Sequence, residues 1–541
     1  MTVDKSKVVY QIYPKSFKDT TGNGIGDLGG IIEKIPYLNR LGIDMIWLSP
    51  CYPSPQHDNG YDVSDYIAIN PLFGTMEDFE KMVTVAEQYD IEIMLDMVFN
   101  HCSTDHEWFQ KALAGDPYYQ DFFILRDEPT DWSSKFGGSA WAPFGDTGKY
   151  YLHLFDKSQA DLNWRNPHVR EALFKVVNFW LNKGVKGLRF DVINLIGKDE
   201  VLKNNSHNEG KEEYTDKPIV HQYLQLLNKE TFGSVGGIMT VGEMSSTTIE
   251  NCVLYTAPER QELSMTFNFH HLKVDYKDGQ KWTKKEFDFE ELKCLFHTWG
   301  KKMSERNGWN ALFWNNHDQP RAINRFVDVK HFRIEGATML AASIHLSRGT
   351  PYIYMGEEIG MLDPDFDAIE DYVDIESINA YQALMAKGIN SKEAFEIIKS
   401  KSRDNARIPI QWDASENAGF SKGTPWLKVG KSYSQINVES ELEGPIFTFY
   451  QKLIALRKKM PIIAEGSYQP AYENHPQVYA FERRLGKEKL LVLNNFYPTS
   501  TVVPILSGYA KGEVLISNYE NIELTETLHL PAYATIAILL R

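Results

Sequence analysis

Eight short apolar runs, each ending in polar residues and followed by a helical pattern, constrain this chain of 541 residues most strongly. The runs are residues 8–13, 45–50, 91–99, 187–192, 238–243, 265–268, 311–316 and 350–358. Alternating strands and helices are typical of parallel sheets, and eight repeats predict an α/β fold, the (β/α)8 TIM barrel. In such barrels the functional residues lie at the carboxyl ends of the strands.

Two segments interrupt this alternation and predict additional domains. Residues 102–169, after the third strand, are rich in Trp, Tyr, Asp and Gly and predict a small inserted domain. Residues 463–541 contain strands with period-two alternation, such as QVYAFERRL and KLLVLNNFY, which predict a C-terminal antiparallel β-sandwich. The barrel is then formed by residues 1–101 and 170–462.

Composition and charge restrict the possible partners. The chain is 43% hydrophobic and 24% charged, which is ordinary for a globular protein. Its net charge of −16 argues against binding to nucleic acid or to an anionic membrane surface. No apolar segment reaches the roughly 18 residues of a membrane helix, and the start does not match a signal peptide. With four scattered cysteines, we expect reduced thiols in a cytoplasmic protein, a monomer or weak oligomer with a small-molecule substrate.

Four strand ends carry residues suited to chemistry. They are Asp96, Asn100 and His101 in LDMVFNH; Arg189 and Asp191 in GLRFDV; Glu243 in TVGE; and His317, Asp318 and Arg321 in NNHDQPR. One such residue alone is often just a polar group that bonds to a loop backbone. Four sets at one end of a barrel predict a common pocket.

Three acids with arginine and histidine, and no cofactor motif, favour hydrolysis of a glycosidic bond. In that reaction one carboxylate attacks the anomeric carbon, and a second, protonated carboxyl group gives its proton to the leaving oxygen. Arg189 and Asp191 share one face of a strand, which predicts that the guanidinium keeps this carboxylate ionised. Glu243 ends an apolar run, where desolvation favours its protonated form and the role of acid.

The blocks DMVFNH, GLRFDV, VGE and NNHD occur in an order that resembles glycoside hydrolase family 13, the α-amylase family. The resemblance implies a retaining mechanism that needs no cofactor, with carboxyl groups about 5–5.5 Å apart. It implies that Asp191 is the nucleophile, Glu243 the acid/base and Asp318 a third acid that holds the sugar. The implied substrate-binding residues are Asp58 and Tyr61 in QHDNGYD, His101, Arg189, His317, and Arg407 in SRDNAR.

Further segments resemble the oligo-1,6-glucosidase branch of this family. These are QADLNW, the SRDNARIPIQW stretch, and Val192 directly after the nucleophile; Ile408 and Ile410 depart from the usual RTPMQW. The branch removes one terminal glucose in a blind pocket. The segments VYQIYPKSFKDTTGNGIGDLGGI and MTFNFHHLKVDYKDGQKW resemble its members that hydrolyse trehalose 6-phosphate to glucose and glucose 6-phosphate. The alternative is an enzyme of uncharged isomalto-oligosaccharides, such as an oligo-1,6-glucosidase or dextran glucosidase.

The segment FHHLKVDYKDGQKW, residues 269–282, is called the cationic segment. It follows the sixth strand and is expected to overhang the pocket. His271, Lys273 and Lys281 are candidates to bind a sugar phosphate, since the net charge of −16 would otherwise repel it. Lys277 is better explained as a solvated side chain. An ordinary solvated loop is the alternative for the whole segment.

The loop DTTGNGIGD places oxygen ligands at alternate positions. They are the side chains of Asp19, Thr21, Asn23 and Asp27 and the carbonyl of Ile25, with a glycine at the sixth position as in calcium loops. The twelfth residue is Gly30, so the loop is not an EF-hand. Related enzymes hold structural calcium here, and we expect Ca²⁺; a glycine-rich turn that starts a helix is the alternative. An amylase-type interdomain calcium site is less favoured, with Asp161 as its candidate.

Two other classes of protein remain as alternatives. Some barrels of this family are non-catalytic transporter-associated subunits, but these carry a membrane helix and lack catalytic acids. A glucosyl-transferring isomerase would leave the cationic segment unexplained.

Overall fold

The eight apolar runs form eight parallel strands in a computed structural model that describes residues 4–205, 207, 209–520 and 522–541. The strands are Val9–Ile12, Met45–Leu48, Glu92–Met97, Gly187–Phe190, Met239–Glu243, Met265–Phe267, Ala311–Leu312 and Thr350–Tyr354. Each lies inside one of the predicted runs. Almost all of their residues are buried, because helices cover the outer face and side chains fill the interior.

The strand order closes a barrel. From the sixth strand it runs through the fifth, fourth, third, second and first to the eighth and seventh. A parallel bridge between Thr266 and Asn310 joins the sixth strand to the seventh. The predicted TIM barrel is therefore confirmed.

Helices follow the strands and begin at side chains that cap them. Asp27 accepts a hydrogen bond from Gly30 N at the start of helix Leu28–Leu41, and Thr75 forms a capping box with Asp78. The other helices between the barrel strands are Met76–Gln88, Glu107–Leu113, Pro117–Gln120, Pro167–Asn182, Lys211–Tyr214, Ile219–Glu230, Phe232–Val235, Ile249–Thr256, Phe289–Glu305, Ala322–Phe326 and Val329–His345. After the eighth strand come Ile375–Ala386, Ser391–Lys401, Asp404–Arg407, Val438–Glu441, Pro445–Lys459 and Pro461–Glu465.

The chain between the third and fourth barrel strands forms two small sheets. Strand His101–Ser103 pairs antiparallel with Gln159–Asp161. Leu125–Arg126, Tyr150–Leu152 and Trp141–Pro143 form a three-stranded antiparallel sheet. Helix Pro167–Asn182 begins where Asn166 accepts a hydrogen bond from His168 N, and the domain boundaries stay predictions.

The C-terminal region is an antiparallel β domain, as predicted. Its main sheet contains, in spatial order, Ser467–Ala471, Val478–Leu485, Glu488–Asn495, Thr535–Leu540 and Glu513–Ser517. Strands Thr501–Pro504 and Thr527–Leu530 pair separately. Buried Arg483 joins this domain to the barrel by donating to Leu346 O at 2.9 Å. Within the described part of the chain, no helix has the length and apolarity needed to cross a membrane.

Candidate active site

The fourth barrel strand brings Arg189 and Asp191 to the carboxyl end of the barrel. The strand ends at Phe190, and Asp191 lies on the turn that follows. Val192 adopts a left-handed conformation with φ of 35°, which is strained for a β-branched residue. Strand alternation therefore stops at Phe190, and Val192 joins Asp191 at the cavity wall.

Three carboxylates surround the guanidinium of Arg189. Its Nη1 donates to Asp96 Oδ1 at 2.6 Å and to Asp191 Oδ1 at 2.8 Å, and its Nη2 contacts Glu243. Burial raises the pKa of Asp96 to about 7 and also raises that of Asp191, while Arg189 lowers both. The sequence correctly pairs Arg189 with Asp191, but burial outweighs the arginine in its effect on this pKa. One positive charge shared by three buried carboxyl groups favours retention of a proton.

Two arginines and a histidine surround Asp318. Its Oδ1 is 2.8 Å from Arg407 Nη2 and 3.3 Å from Arg403 Nη1, and its Oδ2 is 3.3 Å from His317 Nε2. Burial raises the pKa of Asp318, but His317, Arg403 and Arg407 together lower it well below its usual value. Asp318 is thereby held as an anion.

Arg403 connects Asp318 to two further carboxylates. Its Nη2 is 2.6 Å from Asp374 Oδ1 and 3.5 Å from Asp58 Oδ1. Burial raises the pKa of Asp58 to about 7, and Arg403 and Arg407 lower it. The sequence predicts Asp58 and Arg407 as substrate-binding residues, and in the structure it is Arg403 that contacts Asp58 directly. The part of the cavity formed by Asp58, Asp318, Arg403 and Arg407 is called the closed end below.

The two histidines are neutral groups with defined tautomers. Gln11 Nε2 donates to His317 Nδ1 at 2.8 Å, so Nε2 carries the proton on the side of Asp318. Asn100 Nδ2 likewise lies 3.2 Å from His101 Nδ1, and His101 Nε2 donates to Tyr61 O. Burial lowers the pKa of His317 to about 3 and that of His101 to about 4. Neither histidine is then a general acid at neutral pH.

These groups border a cavity of about 260 Å³. It is lined by Asp58, Tyr61, His101, Lys135, Phe136, Phe155, Gln159, Asp191, Val192, Glu243, Tyr276, Lys281, Asp318, Gln319, Glu376 and Arg403. Arg189, His317 and Arg407 are buried behind this surface. The structure thus brings the three predicted acids together at one cavity.

The predicted cationic residues separate into three environments. Lys281 lines the cavity and pairs with Glu376 at 2.7 Å. Lys273 is exposed near the cavity. His271 is a buried core residue and not a cavity residue, because it packs on Phe296, Phe313 and Trp314 and donates to Phe313 O at 2.8 Å.

A buried ion pair cluster anchors the cationic segment. Asp275 lies 2.8 Å from Arg325 Nη2 and 2.6 Å from Lys401 Nζ. Arg325 also donates to Leu272 O, and Lys401 donates to Asp275 O at 3.2 Å. Neighbouring Tyr276 is thereby positioned at the cavity.

The predicted calcium loop is closed by hydrogen bonds. Asp19 accepts from Thr21 N, Gly22 N and Gly24 N at 2.8 Å each, and from Ser421 Oγ. Both oxygens of Asp27 accept hydrogen bonds, from the N and Oγ1 of Thr20 and from Gly30 N. Among the described residues no group of three or more His, Cys, Asp or Glu is arranged to hold a metal. The donor chemistry fits Ca²⁺, but the hydroxyl donors would have to turn away from the carboxylates.

Asp161 is paired with a lysine. Lys198 Nζ lies 2.6 Å from Asp161 Oδ2 and donates to Asn100 Oδ1 at 2.7 Å. The ammonium group neutralises Asp161.

Several cavity residues were missed by sequence reasoning. Lys135, Phe136 and Gln159 come from the inserted segment, and Glu376 comes from a helix after the barrel. Gln159 opens the QADLNW block and could have been found there, whereas the other three positions carried no recognisable motif. Arg403 could have been found, because it precedes Arg407 by one helical turn in SRDNAR.

A parallel barrel whose strand ends gather three acids around a cavity is an arrangement of glycoside hydrolases. Residues 11–466 match the model of the α-amylase catalytic domain, and residues 478–537 match that of the α-amylase SusG C-terminal domain. The chain belongs to the α-amylase family of glycoside hydrolases, whose chemistry needs no cofactor. The family resemblance in the sequence is confirmed.

Within this family the chain is similar to two groups of enzymes. It is 49% identical to trehalose-6-phosphate hydrolase of Bacillus subtilis (strain 168), over 98% of this chain and 97% of the relative. It is 46% identical to oligo-1,6-glucosidase of Parageobacillus thermoglucosidasius, over 96% of each. The crystal structure of Bacillus licheniformis trehalose-6-phosphate hydrolase superposes with a TM-score of 0.96 at 48% identity and covers 100% of both chains.

Proposed function

We propose that the protein is a retaining, exo-acting α-glucosidase that cleaves trehalose 6-phosphate into glucose and glucose 6-phosphate. The observation that carries this proposal is the nearly full-length similarity to trehalose-6-phosphate hydrolases, at 49% identity. A cavity that combines the three acids with Lys135 and Lys281 agrees with a phosphorylated substrate. The substrate-contact roles below are part of the same proposal.

In the first step the Asp191 carboxylate attacks the anomeric carbon of the terminal glucose. Glu243 donates its proton to the glycosidic oxygen, so glucose 6-phosphate leaves and a glucosyl ester forms on Asp191. In the second step Glu243 takes a proton from water, whose oxygen attacks the same carbon and releases glucose with retained configuration. Arg189 contacts both carboxyl groups and orients them.

The closed end of the cavity is suited to an uncharged glucose ring. Asp58 and Asp318 offer acceptors for sugar hydroxyl groups, and the neutral His101 ring forms part of the same wall. Tyr61 stacks on His317 with ring centroids 5.1 Å apart and offers a flat face to the sugar. Arg407 positions Asp318 from behind.

On the side of the leaving group, Lys281 and Lys273 are proposed to attract the phosphate. Lys281 adjoins the Arg403 network, because Glu376 also lies 3.4 Å from Arg403 Nε. Lys281 already pairs with Glu376, so a phosphate there competes with a carboxylate. Lys273 is exposed, and its charge acts on Lys135 of the cavity lining. A phosphate carries about 1.5 to 2 negative charges at pH 7, which favours it over one carboxylate.

Product analysis with three substrates tests the function. We expect glucose and glucose 6-phosphate from trehalose 6-phosphate, with much slower turnover of trehalose and isomaltose. Preference for isomaltose would instead support an oligo-1,6-glucosidase, the second function, which is favoured by the 46% identity to such an enzyme. Detection of the α anomer as first product checks retention.

We also propose that the Asp19–Asp27 loop binds structural Ca²⁺ through Asp19, Thr21, Asn23, Ile25 and Asp27. Oxygen ligands at alternate positions support it, and binding to the folded state would raise the thermal midpoint. The comparison is Tm in CaCl₂, in MgCl₂ and after EDTA, with Asn23→Ala as the variant. Equal midpoints in all three would contradict calcium binding.

The protein is proposed to act in the cytoplasm. All four cysteines are free thiols, three of them buried, which is typical of a reducing compartment. Cell fractionation with an activity assay tests this.

A further inference from the structure

The inserted segment contributes to the cavity a cation without a carboxylate partner. Lys135 Nζ donates to Ser245 Oγ at 3.1 Å and lies 5.5 Å from the centroid of the Tyr214 ring. Across the described part of the chain, no carboxylate lies within ion-pairing distance of this ammonium group. The other two cationic residues of the cavity differ, since Lys281 pairs with Glu376, and Arg403 pairs with three aspartates and with the same Glu376.

Further lysines surround Lys135. Burial, followed by repulsion from Lys211 and Lys273, lowers the pKa of Lys135 to about 8. Lys211 pairs with Glu209 at 2.7 Å and is partly neutralised, whereas Lys273 has no such partner among the described residues. This local excess of positive charge stands out in a chain of net charge −16. An anionic ligand would relieve the repulsion.

Ser245 places Lys135 on the side of the proton donor. It follows Glu243 by two residues, and its backbone N and O are both bonded to the Asn194 side chain at 2.9 Å. The acid must face the leaving oxygen of the substrate. The ammonium group held beside this loop therefore faces the leaving sugar.

We propose that Lys135 is the specificity-determining residue that binds the phosphate of the leaving sugar, with Lys273 and Lys211 adding to the positive field. The proposal rests on the proposed function and deepens it. A lysine ammonium group offers three donors to phosphate oxygens, and the Ser245 hydroxyl can rotate to offer another. In this arrangement Lys135 contributes more to phosphate recognition than Lys281, whose charge is already offset.

Three substitutions test the proposal: Lys135→Gln, Lys135→Arg, and Lys277→Gln as the matched control. Lys277 is an exposed lysine of the cationic segment outside the cavity lining. Steady-state kinetics with trehalose 6-phosphate and with p-nitrophenyl α-glucoside give kcat and KM separately. We expect Lys135→Gln to lower kcat/KM for the phosphorylated substrate about 10- to 100-fold, mostly through KM, because a hydrogen bond to a charged group contributes about 1.5–3 kcal/mol. Lys135→Arg should retain most of the affinity, and Lys277→Gln should leave both substrates unchanged. For p-nitrophenyl glucoside, which carries no phosphate, Lys135→Gln should lower kcat/KM far less than for trehalose 6-phosphate.

Inhibition by glucose 6-phosphate separates this proposal from the proposed function. If the wild-type protein hydrolyses trehalose 6-phosphate but Lys135→Gln does not change kcat/KM, the role of Lys135 is overturned and the function stands. Equal losses on both substrates would also overturn it. If the wild-type protein does not hydrolyse trehalose 6-phosphate, the proposed function is wrong. The phosphosugar site is then still supported if glucose 6-phosphate inhibits hydrolysis of p-nitrophenyl glucoside and this inhibition is weaker in Lys135→Gln. Absent inhibition, or inhibition that is equally strong in Lys135→Gln, overturns the role of Lys135.

Discussion

The two ends of the cavity differ in how their charges are compensated. At the closed end, Arg403 and Arg407 are bound by Asp58, Asp318 and Asp374 at distances from 2.6 to 3.7 Å. At the leaving-group end, Lys135 donates to a serine hydroxyl instead of a carboxylate. The closed end is a balanced network, whereas the other end carries an excess of positive charge.

This difference assigns separate tasks to the two ends. A balanced network of buried charges has fixed geometry, so it can present hydroxyl acceptors to a neutral sugar without reorganising. An uncompensated cation gains most when an anion arrives. Changes at the closed end should therefore affect every substrate, and changes at the other end should affect phosphorylated substrates alone.

Replacing the nucleophile should lower kcat more than any other change, and the loss should be the same for both substrates. Asp191→Asn cannot form the glucosyl ester, so we expect kcat to fall about 10⁴-fold or more for trehalose 6-phosphate and for p-nitrophenyl α-glucoside. Its thermal midpoint should stay close to the wild-type value, since the amide retains the shape of the side chain. Substantial residual turnover of either substrate would show that another residue is the nucleophile.

Replacing Arg403 should disrupt the whole ion-pair network of the closed end. Arg403→Met leaves Asp58 and Asp374 buried without this partner, so we expect the free energy of unfolding to fall by about 3–5 kcal/mol, measured by denaturant titration. Activity should fall on both substrates. The double variant Arg403→Met/Asp374→Asn removes one stranded charge and should recover part of the stability. A loss confined to the phosphorylated substrate would contradict the assignment of this end.

The barrel and its acids were predictable because they obey a regular pattern. Burial on both faces makes each strand a short apolar run, and the strand ends at Arg189, Glu243 and Asp318 stand out against those runs. Parallel strands in a closed barrel then bring these ends together. The apolar runs predict the strands, and the barrel geometry predicts that the polar residues at their ends meet, so this part of the molecule could be predicted from the sequence.

The cavity walls were less predictable because they depend on tertiary packing. Lys135 lies in WSSKFGG, which has no strand or helix period, and its position depends on how the insertion folds over the barrel. His271 lies within the cationic segment, and only its packing on Phe313 and Trp314 places it in the core. Sequence alone identified the cationic segment but not which of its residues reach the cavity.

Loosening the cationic segment should give a smaller and selective effect. Asp275→Asn weakens the contacts with Arg325 and Lys401 that hold this segment. We expect kcat/KM to fall about tenfold for trehalose 6-phosphate, within the range for a charged hydrogen bond, and little for p-nitrophenyl α-glucoside. Glu286→Gln, an exposed acid of the same region, is the control. Equal losses on both substrates would indicate that Asp275 stabilises the whole site instead.

The smallest effect should appear as a pH dependence that only the phosphorylated substrate shows. The pKa of Lys135 is lowered to about 8 by burial, Lys211, Lys273 and Lys198, and Asp161 opposes this. Phosphate stays dianionic above its second pKa of about 6, so between pH 7 and 9 the charge that changes here is on the protein. As pH rises from 7 to 9, Lys135 loses its proton, and the ratio of kcat/KM for trehalose 6-phosphate to that for p-nitrophenyl α-glucoside should fall a fewfold over these two pH units. Lys135→Arg stays charged in this range and should give a flat ratio. If the ratio falls equally in the wild-type protein and in Lys135→Arg, another group is titrating. The proposed difference in charge between the two ends of the cavity would then be unsupported.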